Sequence, residues 1–99
     1  MSDGKLEFCK EIEKQTAEDT LLWRKADNGC YRTHLENRLL TVSTTVGFGR
    51  YVEINDYYIR VGDVGWRIDS LIDAVEANVD RQKQRSRNAG KAYVKSFAK

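Results

Sequence analysis

Between residues 20 and 62 the chain is cut at short intervals by turn-forming pairs. Asn28-Gly29 comes first, Glu36-Asn37 second and Asn55-Asp56 last, with Gly47-Phe48-Gly49 ahead of the final pair. Asn-Gly and related pairs tolerate the positive φ that two-residue hairpin turns require. The stretches between them are β-prone. Leu21 to Lys25 leads into the first turn. Cys30 to Leu35 alternates, with Tyr31, Thr33 and Leu35 on one face and Cys30, Arg32 and His34 on the other. Leu39 to Val46 places Leu40, Val42, Thr44 and Val46 together. Tyr51 to Ile54 and Tyr57 to Val61 follow, and Gly62-Asp63-Val64-Gly65 closes the sheet. Strands joined by connections this short are antiparallel neighbours, because parallel neighbours need a crossover of a dozen or more residues. The middle of the chain is therefore a four- or five-stranded antiparallel meander.

Helical signals flank it. Residues 3–19 carry Phe8, Ile12 and Thr16 at four-residue spacing, with Leu6 and Cys9 beside them. Asp3 is placed to cap this helix, and Glu7 sits near its positive end. The stripe is narrow, so the helix lies on a surface. A second helix starts near Asp69-Ser70, with Ser70 and Asp73 as a variant capping box. Ile68, Leu71, Ile72, Val75 and Val79 form its core stripe. The expected fold is two-layer α+β, with an N-terminal helix, the meander, and a C-terminal helix with a basic extension.

The charge is unevenly distributed. The whole chain of 99 residues carries a net +2. Residues 81–99 hold seven basic residues and no acid, so residues 1–80 carry a net −5. This divides the chain into a single α+β domain at 1–80 and a basic helical extension or tail at 81–99. In the tail, Arg81 to Asn88 has no apolar residue and Gly90 weakens a helix. Beyond it, Lys91, Lys95 and Lys99 share one face, and Tyr93, Val94 and Phe97 share another.

Several classes are excluded or disfavoured. No run approaches the ~18 apolar residues of a membrane span. Lys5 to Lys14 is mixed charge, unlike a secretory signal. Two cysteines are too few for a disulfide-stapled miniprotein, and Cys9 and Cys30 read most simply as reduced thiols in a cytoplasmic protein. A bridge between them stays open. Ten aromatics and repeated β-branched runs disfavour disorder. There is no proline and no internal repeat.

Two resemblances are present. The run Phe8-x3-Ile12-x3-Thr16, Leu21-Leu22-Trp23 and Tyr31 resembles small uncharacterised bacterial and phage proteins, in which a leading helix precedes Trp- and Tyr-containing strands. It covers about the first third of the chain and implies a bacterial or viral origin. Gly47 to Ile54 resembles the aromatic signature strand of RNA-recognition-motif domains. It departs from that pattern through the inserted Arg50, Val46 in place of the leading base and Ile54 in place of the final aromatic. The Tyr58 to Gly62 companion strand also follows where it should precede. A glycine-flanked turn exposing Phe48 is the simpler reading.

Chemistry-bearing sets are sparse. His34 is the sole histidine, and Cys30 lies four residues away along the same strand face. That is about 13 Å, too far for a direct nucleophile–base pair. Cys9, Cys30 and His34 lack paired metal-ligand spacing. No catalytic residue, metal or cofactor is expected. Asp69, Asp73, Glu76 and Asp80 form an acidic stripe that fits a basic partner, or simply complements the helix dipole. Arg81, Lys83, Arg85, Arg87, Lys91, Tyr93, Lys95 and Phe97 are the candidate contacts for a protein or a nucleic acid. The leading expectation is a small non-enzymatic protein-binding module, such as a bacterial or phage regulator or inhibitor. The alternative is a nucleic-acid binder acting through the basic segment. A homodimer, with the tail of one chain on the acidic body of another, fits the same charge split.

Overall fold

The computed structural model describes residues 4–44 and 49–98. Helix α1 (Lys5–Ala17) leads into five strands, β1 (Arg24–Lys25), β2 (Cys30–Leu35), β3 (Arg38–Ser43), β4 (Tyr51–Ile54) and β5 (Tyr57–Arg60). The one-turn helix α2 (Val61–Val64) and the long helix α3 (Arg67–Lys95) complete the chain. The sheet order is β1-β2-β3-β4-β5, antiparallel throughout. The α+β meander read from the sequence is the fold, with five strands.

Turn chemistry sets the register. Glu36 and Asn37 have φ of 49° and 69°, and Asn55 and Asp56 have 50° and 63°. Both pairs thus carry the double positive φ of a type I′ hairpin, whose twist matches that of the strands. Asn28-Gly29 behaves differently. Asp27–Gly29 is a 3₁₀ turn ending in a left-handed glycine, and Ala26 N–H donates to Cys30 C=O across it at 2.8 Å.

The core lies on one face of the sheet. Leu40, Val42, Val52 and Ile59 meet Cys9 and Ile12 of α1 and Ile68, Leu71, Ile72, Val75 and Val79 of α3. The two helices run in the same direction. Glu13 pairs with Arg67, Asn78 bonds to Thr16, and Arg81 bonds to Asp19.

Four local expectations shift. Helix α1 begins after Gly4; the expected cap Asp3 lies outside the described residues, as do Val46, Gly47 and Phe48. The first strand is only two residues long, because Leu21 and Trp23 are drawn into the core instead. Gly62 to Val64 forms α2, where Asp63 accepts from Arg60 N–H at 2.9 Å. Helix α3 starts at Arg67 without a side-chain cap, and it runs unbroken through residue 80 and Gly90 to Lys95.

The molecule is long. Its extents are 65 × 27 × 24 Å and its radius of gyration is 16.0 Å. A compact chain of this length has a radius of about 13 Å. The excess comes from α3, whose 29 residues span about 43 Å.

Candidate functional site

The basic segment is built onto the domain by a buried polar cluster. Asn78 is fully buried within the α3 core stripe. Its Oδ1 accepts from Trp23 N–H (2.9 Å) and from Gln82 Nε2 (2.9 Å). Its Nδ2 carries two N–H groups and has three acceptors within reach, Leu21 C=O (2.8 Å), Thr16 C=O (3.0 Å) and Asp19 Oδ1 (3.0 Å), so one N–H is shared. Thr16 lies in the last turn of α1, and its carbonyl also accepts from Asp19 N–H (3.2 Å) and Arg81 Nη2 (3.0 Å). The Trp23 indole N–H donates to Thr16 Oγ1 at 2.9 Å, and Gln82 Nε2 donates to Trp23 C=O at 2.6 Å.

Asp19 extends the cluster outward. Arg81 donates to it through Nε (3.0 Å) and Nη2 (2.8 Å), and Arg85 pairs with its other oxygen. Hydrogen bonds from Arg81 and then Arg85 hold its carboxyl below the usual carboxylate range. Two of the seven cations at 81–99 are thus used to fasten α3 to the end of α1.

Beyond Gln82, α3 leaves the domain. From Lys83 to Ala98 every residue is exposed. Lys83, Arg87, Lys91 and Lys95 recur at four-residue steps and form one row about 18 Å long. Among the described residues none of the four is in an ion pair; Lys99 lies outside them. Beside the row, Tyr93 and Phe97 meet edge to face with ring centroids 5.2 Å apart, yet are 68% and 69% exposed.

A second cationic surface adjoins the base of this helix. Leu21 and Trp23, pulled toward Asn78, leave β2 unpaired on its β1 side beyond Arg32. The opening is a basin of about 740 Å³. Arg24, Lys25, Arg32 and His34 line it, and so does Gln82. The sheet edge and the projecting helix therefore meet at one place.

The acidic stripe does not form one site. Asp69 pairs with Arg50, tying the start of α3 to the segment before β4. Glu76 and Asp80 lie near Tyr31 of β2; burial first, and then these two carboxylates, push its phenol above the usual value. Asp73 is exposed. Among the described residues no three His, Cys, Asp or Glu side chains are grouped to hold a metal ion. Cys9 and Cys30 are both thiols. Burial pushes the Cys9 thiol up to about 11, so it stays protonated and packs as a small apolar group. No helix among the described residues is long and apolar enough to cross a membrane.

Sequence patterning misses the anchor and the basin. Asp19, Asn78, Arg24 and Arg32 lie in four separate segments, and only the folded register and packing bring them to α3. The outward alternation of Arg32 and His34 was the one available signal. Compared with known proteins, the chain matches no family model, no curated sequence and no solved structure.

Proposed function

We propose that the protein is a non-enzymatic nucleic-acid-binding protein. One observation carries the reading: Gln82, where α3 leaves the domain, lines the same basin as Arg24, Lys25, Arg32 and His34. The acid-free row Lys83, Arg87, Lys91 and Lys95 therefore starts beside a cationic sheet edge and winds round the projecting helix from there. Such a path suits the phosphate backbone of a nucleic acid, where each neutralised phosphate releases counterions. The test is fluorescence anisotropy with labelled DNA and RNA across a salt series. Four phosphate contacts give a log–log salt slope of about −3. The charge reversals Lys83→Glu and Lys91→Glu together weaken binding at least tenfold and flatten that slope. Salt-independent binding, or none, overturns the reading.

A second reading rests on Tyr93, Val94 and Phe97. These three large side chains stand exposed at the end of a projecting helix, which suits helix-in-groove docking onto a protein. It makes the molecule a regulator or inhibitor acting by protein contact. Capture from cell extract then resists nuclease, and Tyr93→Ser with Phe97→Ser abolishes it. Nuclease-sensitive capture returns the case to nucleic acid.

A further inference from the structure

The second face of the sheet carries no helix among the described residues. The core and both long helices lie on the first face. The outward residues form two long rows set by the register, besides the short pair His34 and Leu39. One runs Arg24, Arg32, Thr41, Glu53, Tyr58, and the other runs Cys30, Ser43, Tyr51, Arg60.

The rows have relief. In the central strand Thr41 and Ser43 are small and only 7% and 1% exposed, and among the described residues no helix lies over them. The residues that flank them by register are longer. Arg32 rises from β2, with Arg24 beyond it on β1. Tyr51 rises from β4, with Tyr58 and Arg60 beyond it on β5. The face is thus a shallow trough along β3, with cations on one wall and aromatics on the other.

The aromatic wall is built for stacking. Tyr51 and Tyr58 meet edge to face, with centroids 5.2 Å apart at 65°. The Arg60 guanidinium lies 5.3 Å from the Tyr58 ring centroid, a cation–π contact. Tyr58 is 39% exposed, so part of this assembly faces solvent. The charge of the trough is cationic: Arg24, Arg32 and Arg60 stand against Glu53 within it, with Asp56 of the turn near Tyr58 at its end. Its cationic wall leads into the basin that Arg24 and Arg32 also line.

We propose that this trough binds single-stranded nucleic acid, with phosphates on Arg24 and Arg32 and a base stacked against Tyr58 and Arg60. The proposal rests on the nucleic-acid reading and names its substrate class. Unpaired bases offer π-faces to an aromatic wall, whereas a duplex keeps its bases stacked on one another. A positively charged groove beside aromatic side chains is the general form of a single-strand site.

The test uses the full chain and labelled oligonucleotides of one mixed sequence, as single-stranded DNA, single-stranded RNA and duplex DNA. Anisotropy is read at about 0.1 M salt. Tyr58→Leu, which keeps apolar bulk and removes the ring, weakens single-strand binding about tenfold. Tyr58→Phe, which keeps the ring, binds as the unaltered chain does, and neither variant changes duplex binding. Near-ultraviolet circular dichroism checks that both are folded. Should Tyr58→Leu bind single strands normally, the trough is not the site, although salt-dependent binding sensitive to Lys83→Glu and Lys91→Glu would leave the broader reading intact. Equal competition by polyglutamate of matched charge would also overturn the proposal, since it marks a site for any polyanion, acidic proteins included. Absence of all nucleic-acid binding overturns both readings.

Discussion

Asn78 occupies a position that an apolar side chain would fill in a simpler helix, between Val75 and Val79 of the core stripe. Its amide meets the Trp23 N–H, the Thr16 and Leu21 carbonyls, Asp19 and Gln82. A buried polar group left without its partner costs about 1–3 kcal/mol. Asn78→Ala strands at least the Trp23 N–H and the Leu21 carbonyl at once. The expected loss is about 2–4 kcal/mol, read as a lower midpoint in urea with an unchanged slope. Asn78→Leu fills the space and leaves the same groups unmatched, so it is no milder in kind. A near-neutral result for both would mean that the segment 18–23 repacks without α3. This residue also shapes the proposed site at one remove. By drawing Leu21 and Trp23 toward α3, it shortens β1 and opens the basin at Arg24 and Arg32.

Helix α3 performs two tasks along its length, and they meet at Gln82. Its first half supplies six buried residues to the domain, and its second half has none. An isolated helix of a dozen residues is marginal in water, so the exposed half depends on continuity with the packed half. Gly90 is its weakest point. A Cβ built there meets nothing within 4 Å, and its φ is not in the left-handed region. Gly90→Ala therefore stabilises the distal helix by about 0.5–1 kcal/mol, read as slower amide exchange over 88–95 with no change in the domain. Unchanged exchange there would mean that the distal half is not helical in solution. The sequence made the elements of this fold readable, because turn pairs and apolar spacing are local. Glu36-Asn37 and Asn55-Asp56 turn as their residue types require. It hid where α3 ends, since Arg81 to Asn88 lacks the apolar stripe that marks a packed helix. Arg81 and Arg85 reveal their role only once Asp19, more than sixty residues away in sequence, is beside them. The trough was hidden for the same reason: Arg24, Arg32, Tyr58 and Arg60 share a face only through strand register.

For the whole molecule, charge segregation and shape act together. Among the described residues the acids lie on and just after α1, at the turns, at Glu53 of β4, at Asp63 of α2 and on the first half of α3, while the acid-free row projects outward. Intramolecular collapse of the row onto the acidic body is opposed by a continuous helix that points away from it. The same geometry leaves the row able to reach the acidic body of a second copy, with an attraction screened over about 10 Å at 0.1 M salt. Small-angle X-ray scattering separates these cases. At about 0.5 M salt, where screening removes attraction between copies, the expected radius of gyration is near the 16.0 Å of the extended chain. A value near 13 Å, that of a compact chain of this length, would mean that the helix folds back. On dilution to about 20 mM salt the screening length rises about fivefold. A scattering mass that then rises with protein concentration places the row of one copy on the acids of another, and Lys83→Glu with Lys91→Glu suppresses the rise. On the proposed nucleic-acid reading an oligonucleotide competes for the same row, so adding it at low salt dissolves such assemblies if the row is the shared contact.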